Sequence, residues 1–142
     1  GRFIFDRPGA SFKTHKNAEL SLDDDKRLAE TLLKCDLVVS GPSTMAIDAA
    51  FFDKSVVLVA FDGFEKRPYL QSVSRYYDYE HWRPVVESGA VKLARNQEEF
   101  ATSVDAYVKN PALDKEARRK LSEKFCYKID GKSTERLWKS IL

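Results

Sequence analysis

The chain has 142 residues, of which 43% are hydrophobic and 32% are charged, a composition typical of a folded globular domain and unlike that of a disordered or fibrous protein. Its length suffices for one domain with a hydrophobic core and is short for two. Basic residues number 24 against 22 acidic ones, for a net charge of +2. Because the two signs are mixed along the sequence, they predict no surface that would bind a nucleic acid polymer.

Short apolar runs predict the strands. The runs are rich in Val, Ile and Phe and do not alternate with polar residues, as is typical of parallel strands buried on both faces. They cover residues 3–5, 37–39, 56–61 and 90–94. Since a domain seldom begins directly on a strand, we expect the chain to be part of a larger protein.

Helical patterns lie between and after these runs. Ser21, followed by three aspartates, predicts the start of a helix that ends near Cys35. Asn96 begins a second capping pattern, and the residues expected to be buried on that helix are Phe100, Val104 and Val108. Further helices are predicted over residues 113–125, from Ser133 onward, and within residues 68–77. The alternation of elements predicts an α/β, Rossmann-like fold with helices on both faces of a parallel sheet.

The segment SGPST, residues 40–44, follows the second apolar run and opens a helix. Gly41 allows a ligand to approach the backbone closely, and the hydroxyls of Ser43 and Thr44 stand beside free N–H groups, which suits a phosphate. Asp48 comes one helical turn after Thr44 and could accept hydrogen bonds from a ribose. The predicted phosphate contacts are Ser40, Gly41, Ser43 and Thr44. The alternative is that the hydroxyls only cap the helix and that Asp48 faces solvent.

Residues 36–62, DLVVSGPSTMAIDAAFFDKSVVLVAFD, resemble the donor-binding domain of GT-B glycosyltransferases. They are most similar to the CDP-glycerol glycerophosphotransferase family, which makes teichoic-acid-like polymers. The shared features are a strand that begins with Asp36, the hydroxyl pair, an acid four positions later and the Asp53-Lys54 step. By this resemblance the hydroxyl pair approaches the donor's pyrophosphate, and Asp48 its ribose. The chain departs from the family in having Ser55 in place of the usual proline and Gly41-Pro42 in place of an acidic-aromatic pair.

The resemblance implies a transferase that moves a glycosyl or glycerophosphoryl group from a nucleotide-diphosphate donor, a UDP-sugar or CDP-glycerol, in cell-surface polymer synthesis. Residues 1–142 would be a single donor-binding domain, the C-terminal half of a GT-B enzyme, with the acceptor held by an N-terminal domain outside the chain. It implies no metal or other cofactor, and the catalytic residues stay unassigned. The longest apolar stretch, residues 55–61, is too short for a membrane span, and no signal peptide pattern is present, so we expect a location in the cytoplasm or at the inner face of the membrane.

The long connection over residues 62–89 is rich in aromatic residues. His81 and Arg83 flank Trp82 there, and they could stack on a base, neutralise a diphosphate or protonate a leaving group. These two residues are therefore predicted donor contacts, placed across a cleft from the Ser40 loop. The alternative is that Trp82 packs the connection onto the domain while both charges stay in solvent.

Two other functions stay open. A nucleotide-sugar epimerase of the same architecture is suggested by residues 65–68, Glu-Lys-Arg-Pro, and a domain that kept the fold without the ligand would act as an interaction module. The DGKST segment at residues 130–134 is not a P-loop, because it lacks the first glycine and follows a helix instead of a strand. Cys35 and Cys126 have no metal-type spacing and are predicted to be reduced thiols.

Overall fold

The computed structural model describes residues 4–6 and 21–142. The chain forms two compact units, residues 1–35 and residues 36–142. The prediction of a single donor-binding domain over the whole chain stays a prediction.

The first unit contains helix α1, Leu22–Lys34. Ser21 begins it as predicted: its hydroxyl accepts from the Asp24 N–H at 3.2 Å, and the Asp24 carboxylate accepts from the Ser21 N–H at 2.9 Å. Cys35 ends the helix, also as predicted.

The first predicted strand is not formed in its described part. Phe3 lies outside the described residues, and Ile4, Phe5 and Asp6 have no regular secondary structure. Ile4 and Phe5 expose 81% and 90% of their surface. An apolar run becomes a strand only where a neighbouring strand pairs with it, and the run itself does not supply that neighbour.

The second unit is built on a parallel sheet of strands β1, Leu37–Ser40, β2, Ser55–Val59, and β3, Lys92–Ala94, in the order β1-β2-β3. Val38 lies opposite Val56, and Val57 lies opposite Lys92. The interior of β2 is fully buried, as expected for a central strand covered on both faces. The predicted α/β fold with a parallel, Rossmann-like sheet is therefore confirmed, with strand ends displaced by one or two residues.

Five helices flank this sheet or follow it: α2, Met45–Phe51; α3, Arg83–Val86; α4, Gln97–Lys109; α5, Lys115–Cys126; and α6, Ser133–Ile141. Helix α2 packs against α5, and α4 packs against β2 and β3. None of the helices in the described part of the chain has the length and hydrophobicity that a bilayer crossing requires.

The buried face of α4 differs from the prediction in one residue. Phe100 and Val104 pack against a core of Val57, Ala94 and Tyr107, as expected for the first two. Val108, predicted to be buried, exposes 63% of its surface, whereas Tyr107 exposes 2%. At about 100° per residue, position 107 returns to within about 20° of position 100, while position 108 lies about 80° away.

The connection after β2 contains two short 3₁₀ turns, Tyr69–Gln71 and Val73–Asp78, where one short helix was predicted. Ser72 separates them: its backbone is extended, and its hydroxyl accepts from the Ser74 N–H at 3.1 Å. The connection is fastened to the sheet by the hydroxyl of buried Tyr77, which donates to the Val59 carbonyl at 3.0 Å.

Candidate functional site

The candidate site lies at the edge of the sheet where the parallel strands end. The last residues of β1, β2 and β3 are Ser40, Val59 and Ala94. In open parallel sheets, ligands bind in the crevice outside the carboxyl ends of the strands. The segments that leave these three residues therefore decide what the site can bind.

A pocket of about 500 Å³ opens between the loop after β1 and the connection after β2. Gly41 lines it from the loop after β1, and Arg67, Gln71 and Tyr76 line it from the connection after β2. We call this the Gly41 pocket. A Cβ atom at Gly41 would have no other atom within 4 Å, so the loop backbone faces open space.

Asp62 holds the connection in place beside this pocket. Its carboxylate accepts from the Val73 N–H at 2.8 Å and from the Arg67 N–H at 3.4 Å. The Val73 hydrogen bond, with a further contribution from the Ser72 hydroxyl, holds the pKa of Asp62 below its ordinary value. Asp62 thereby ties two points of the connection to the segment that follows β2, and one of those points is Arg67, which lines the pocket together with Gly41.

The hydroxyl pair of the loop lies at the start of α2, and both residues are exposed. The Ser43 hydroxyl accepts from the Met45 N–H at 3.3 Å, whereas the Thr44 side chain makes no capping hydrogen bond. The Ser43 contact uses a lone pair of the oxygen, so its O–H can still donate to a ligand. The role of both residues in donor binding stays a prediction.

Asp48 lies on α2 and is exposed, one turn beyond Thr44. The surrounding protein atoms nevertheless raise the pKa of its carboxyl. Burial raises the pKa of the Cys126 thiol, and the charge of Asp48 raises it further, which places the carboxylate near the end of α5. Asp48 lines neither the Gly41 pocket nor its larger neighbour, and its ribose contact stays a prediction.

A larger pocket of about 1180 Å³ lies between the connection, α3 and the start of α4. It shares Phe61 and Asp62 with the Gly41 pocket, so the two are neighbours along the same edge. We call it the large pocket. Its basic side chains are Lys66, Arg83 and Arg95.

The structure separates the two predicted donor contacts on the connection. Arg83 lines the large pocket and lies 4.0 Å from the Glu87 carboxylate. His81 lines neither pocket, and its ring lies 5.8 Å from Tyr79 and 6.3 Å from Trp82 between centroids. Trp82 is buried and packs against the Tyr77 ring. Donor contact by His81 and Arg83 stays a prediction.

Sequence reasoning missed Arg67 as a residue that faces the Ser40 loop. The available signal was its position a few residues after β2, whose carboxyl end shares an edge with β1. The Glu-Lys-Arg-Pro sequence of residues 65–68 suggests an epimerase instead, because no neighbouring residue indicates that Arg67 shares a pocket with Gly41.

Comparison with protein families gives one match. The family model of the CDP-glycerol:poly(glycerophosphate) glycerophosphotransferases matches residues 5–142, and the chain therefore belongs to this family. Searches of curated proteins and of solved structures gave no match. The resemblance of residues 36–62 to this family is confirmed. The chain belongs to transferases that act in glycerophosphate polymer synthesis, with CDP-glycerol as the donor that the family description names.

Proposed function

We propose that this glycerophosphotransferase binds its CDP-glycerol donor at the Gly41 pocket, and that residues 36–142 form the donor-binding half of a GT-B enzyme. The observation that carries the proposal is that Gly41, from the loop after β1, and Arg67, Gln71 and Tyr76, from the connection after β2, line one pocket at the carboxyl edge of the sheet. The acceptor-binding domain is proposed to be N-terminal to this unit. The enzyme is proposed to act in the cytoplasm or at the inner face of the membrane.

Charge at the Gly41 pocket favours a diphosphate. Arg67 is exposed and has no carboxylate within ion-pair distance among the described residues, and its charge acts at longer range on the Asp62 carboxylate of the same pocket. Since backbone N–H groups already donate to that carboxylate, the guanidinium can meet an anionic ligand. A hydrogen bond between charged groups contributes about 1.5 to 3 kcal/mol, more than a neutral one. The exposed backbone at Gly41 lines the pocket, and the exposed hydroxyls of Ser43 and Thr44, which do not line it, follow at the start of α2 as further neutral donors.

The other predicted contacts to CDP-glycerol follow the order of the residues along the loop and α2. Ser40 and Gly41 contact the phosphates, and Asp48 accepts hydrogen bonds from the ribose hydroxyls. His81 and Arg83 are proposed to contact the donor from the connection after β2. The family match favours this transferase over the epimerase and over a domain without a ligand.

The transfer itself needs an acceptor hydroxyl close to the donor. The hydroxyl oxygen of the growing polymer attacks the phosphorus that carries glycerol, and a new P–O bond forms. The bond from that phosphorus to the bridging oxygen breaks, CMP leaves, and the hydroxyl proton is released. Positive charge beside the bridging oxygen stabilises the negative charge that develops there, and Arg67 is the basic residue of the Gly41 pocket.

The test is calorimetric titration of the chain with CDP. Arg67→Gln should weaken CDP binding at least about tenfold, as expected for one charge-assisted hydrogen bond. The thermal midpoint should stay near that of the unmodified chain, because Arg67 is exposed. Arg119→Gln is the matched control, since Arg119 is an exposed arginine on α5 whose carboxylate partners lie on the same helix.

Equal CDP affinity in Arg67→Gln and Arg119→Gln would contradict the proposal. So would tight binding of purine and pyrimidine nucleotides alike, because a CDP-glycerol enzyme must recognise its base.

A further inference from the structure

We propose that the large pocket binds a glycerophosphate unit, with Lys66 and Arg95 holding its phosphate. The inference rests on the proposed function of the adjacent Gly41 pocket and assigns a second ligand position to the same edge of the sheet. It starts from the volume of about 1180 Å³, more than twice the 500 Å³ of the Gly41 pocket.

The cations of the large pocket differ in whether they are already paired. Arg83 has Glu87 as its partner. Lys66 and Arg95 are both exposed and make no ion pair within the part of the chain that the structure describes. Lys66 comes from the connection after β2 and Arg95 directly follows β3, so two separate segments present positive charge to one concavity. Such an arrangement suits an anion that enters between them.

The start of α4 adds to this preference. Asn96 and Gln97, the cap and first residue of the helix, line the large pocket beside Arg95. The N-terminal end of a helix carries positive partial charge from the aligned peptide dipoles. Glu98 and Glu99 in the first turn offset part of this charge, so the phosphate position is expected at the Arg95 guanidinium.

The acidic residues of the large pocket indicate that its ligand is more than a phosphate. Asp62 and Asp78 are engaged, by backbone N–H groups and by the Tyr69 hydroxyl at 3.0 Å. Glu65 and Glu98 also line the pocket, and they make no ion pair among the described residues. Carboxylates repel a bare polyanion but accept hydrogen bonds from hydroxyls. A ligand with one phosphate and free hydroxyls, as in a glycerophosphate unit, satisfies both kinds of group.

The position of the large pocket fits a place in the reaction. It meets the Gly41 pocket at Phe61 and Asp62, and reacting atoms must come within about 3.5 Å of each other for attack. A glycerophosphate unit bound here is either the group carried by the donor or the end of the acceptor polymer. Both sources present the same chemistry to Lys66 and Arg95.

The test uses sn-glycerol 3-phosphate and a short glycerophosphate oligomer as probes, titrated by NMR into the full chain and into its Lys66→Gln and Arg95→Gln variants. Each substitution should weaken binding of the probes at least about fivefold and change the affinity for CMP, which lacks the phosphate of the transferred group, less than twofold. Lys109→Gln is the control, because Lys109 lies at the other end of α4 and pairs with Asp105 at 2.6 Å. Its probe affinity should equal that of the unmodified chain.

Competition separates the two sources of the unit. If the probes still bind when the chain is saturated with CDP-glycerol, the large pocket takes the acceptor end. If CDP-glycerol and CDP, which both carry the phosphate of the transferred group, displace them while CMP does not, the pocket takes the transferred group of the donor.

The inference is overturned if the probes do not bind, or if both variants bind them as the Lys109→Gln control does. If either result is obtained while the unmodified chain still binds CDP, only the glycerophosphate site is disproved and the proposed donor site is unaffected. Loss of CDP binding by the unmodified chain would remove the proposed function itself.

Discussion

Among single residues, Arg118 shows how a charged side chain can belong to the core. It exposes 1% of its surface. Its guanidinium donates to the Asp53 carboxylate at 3.0 Å and to the carbonyls of Leu113 at 2.5 Å and Pro111 at 3.1 Å. These bonds join α5 to the turn before β2 and to the turn after α4, so one residue links three segments.

Arg118→Ala should lower the free energy of unfolding by about 3 kcal/mol, the lower end of the range for breaking a buried ion pair. The lower end applies because Asp53 is 47% exposed and can be solvated when its partner is lost. Urea unfolding of the variant measures the change. Arg119→Ala, one residue further on the exposed face of α5, should have a much smaller effect. Similar losses in the two variants would show that Arg118 does not act through these buried bonds.

At the scale of elements, the connection between β2 and α3 depends on the Asp62 carboxylate. The hydrogen bond from Val73 lowers the pKa of Asp62 below the ordinary value of 3.8. A group with a lowered pKa in the folded state stabilises the fold above its unfolded pKa, and this contribution is lost as the pH falls through its folded pKa. The carboxylate therefore stabilises the connection at neutral pH.

Asp62→Ala should accordingly be less stable than the unmodified chain at neutral pH, and the difference should narrow as the pH falls below 3.8. Urea unfolding of both proteins across this range measures the difference, in which the titration of all other groups largely cancels. A difference that stays constant through the acid range would show that Asp62 acts by packing and not by its charge.

For the whole molecule, the proposed donor site requires the assembled sheet, because its two sides follow different strands. A ligand that binds only the folded state raises the free energy of unfolding by about 2.7 kcal/mol at one hundred times its dissociation constant. The β2 amides exchange only when the unit of residues 36–142 unfolds. CDP at that concentration should therefore slow their hydrogen exchange as well as that of the loop after β1. Hydrogen exchange followed by NMR measures this. Slower exchange confined to the loop would mean that CDP binds a site independent of the sheet.

Much of the fold could be predicted because its signals are local. Ser21 and Asn96 precede acidic first turns, and each accepts a hydrogen bond from a helix N–H as predicted. Three apolar runs became parallel strands, since a continuous run of Val, Ile and Leu is stable only where both faces are covered. The SGPST segment falls at the carboxyl end of β1 because strand and helix signals meet there.

Other features were decided only by tertiary structure. Nothing in the sequence KEARRK distinguishes Arg118 from Arg119, yet the first is buried and the second exposed, because only one of them faces Asp53 across 65 positions of the chain. Arg67 and Gly41 line one pocket although they lie on different segments, and the Asp62 carboxylate holds the segment of Arg67 through hydrogen bonds from Arg67 and Val73. The sequence by itself determined the helix starts, the strands of the sheet and the loop at its edge, since these depend on neighbouring residues. Which side chains share a pocket depends on contacts between distant segments, and those exist only once the chain has packed.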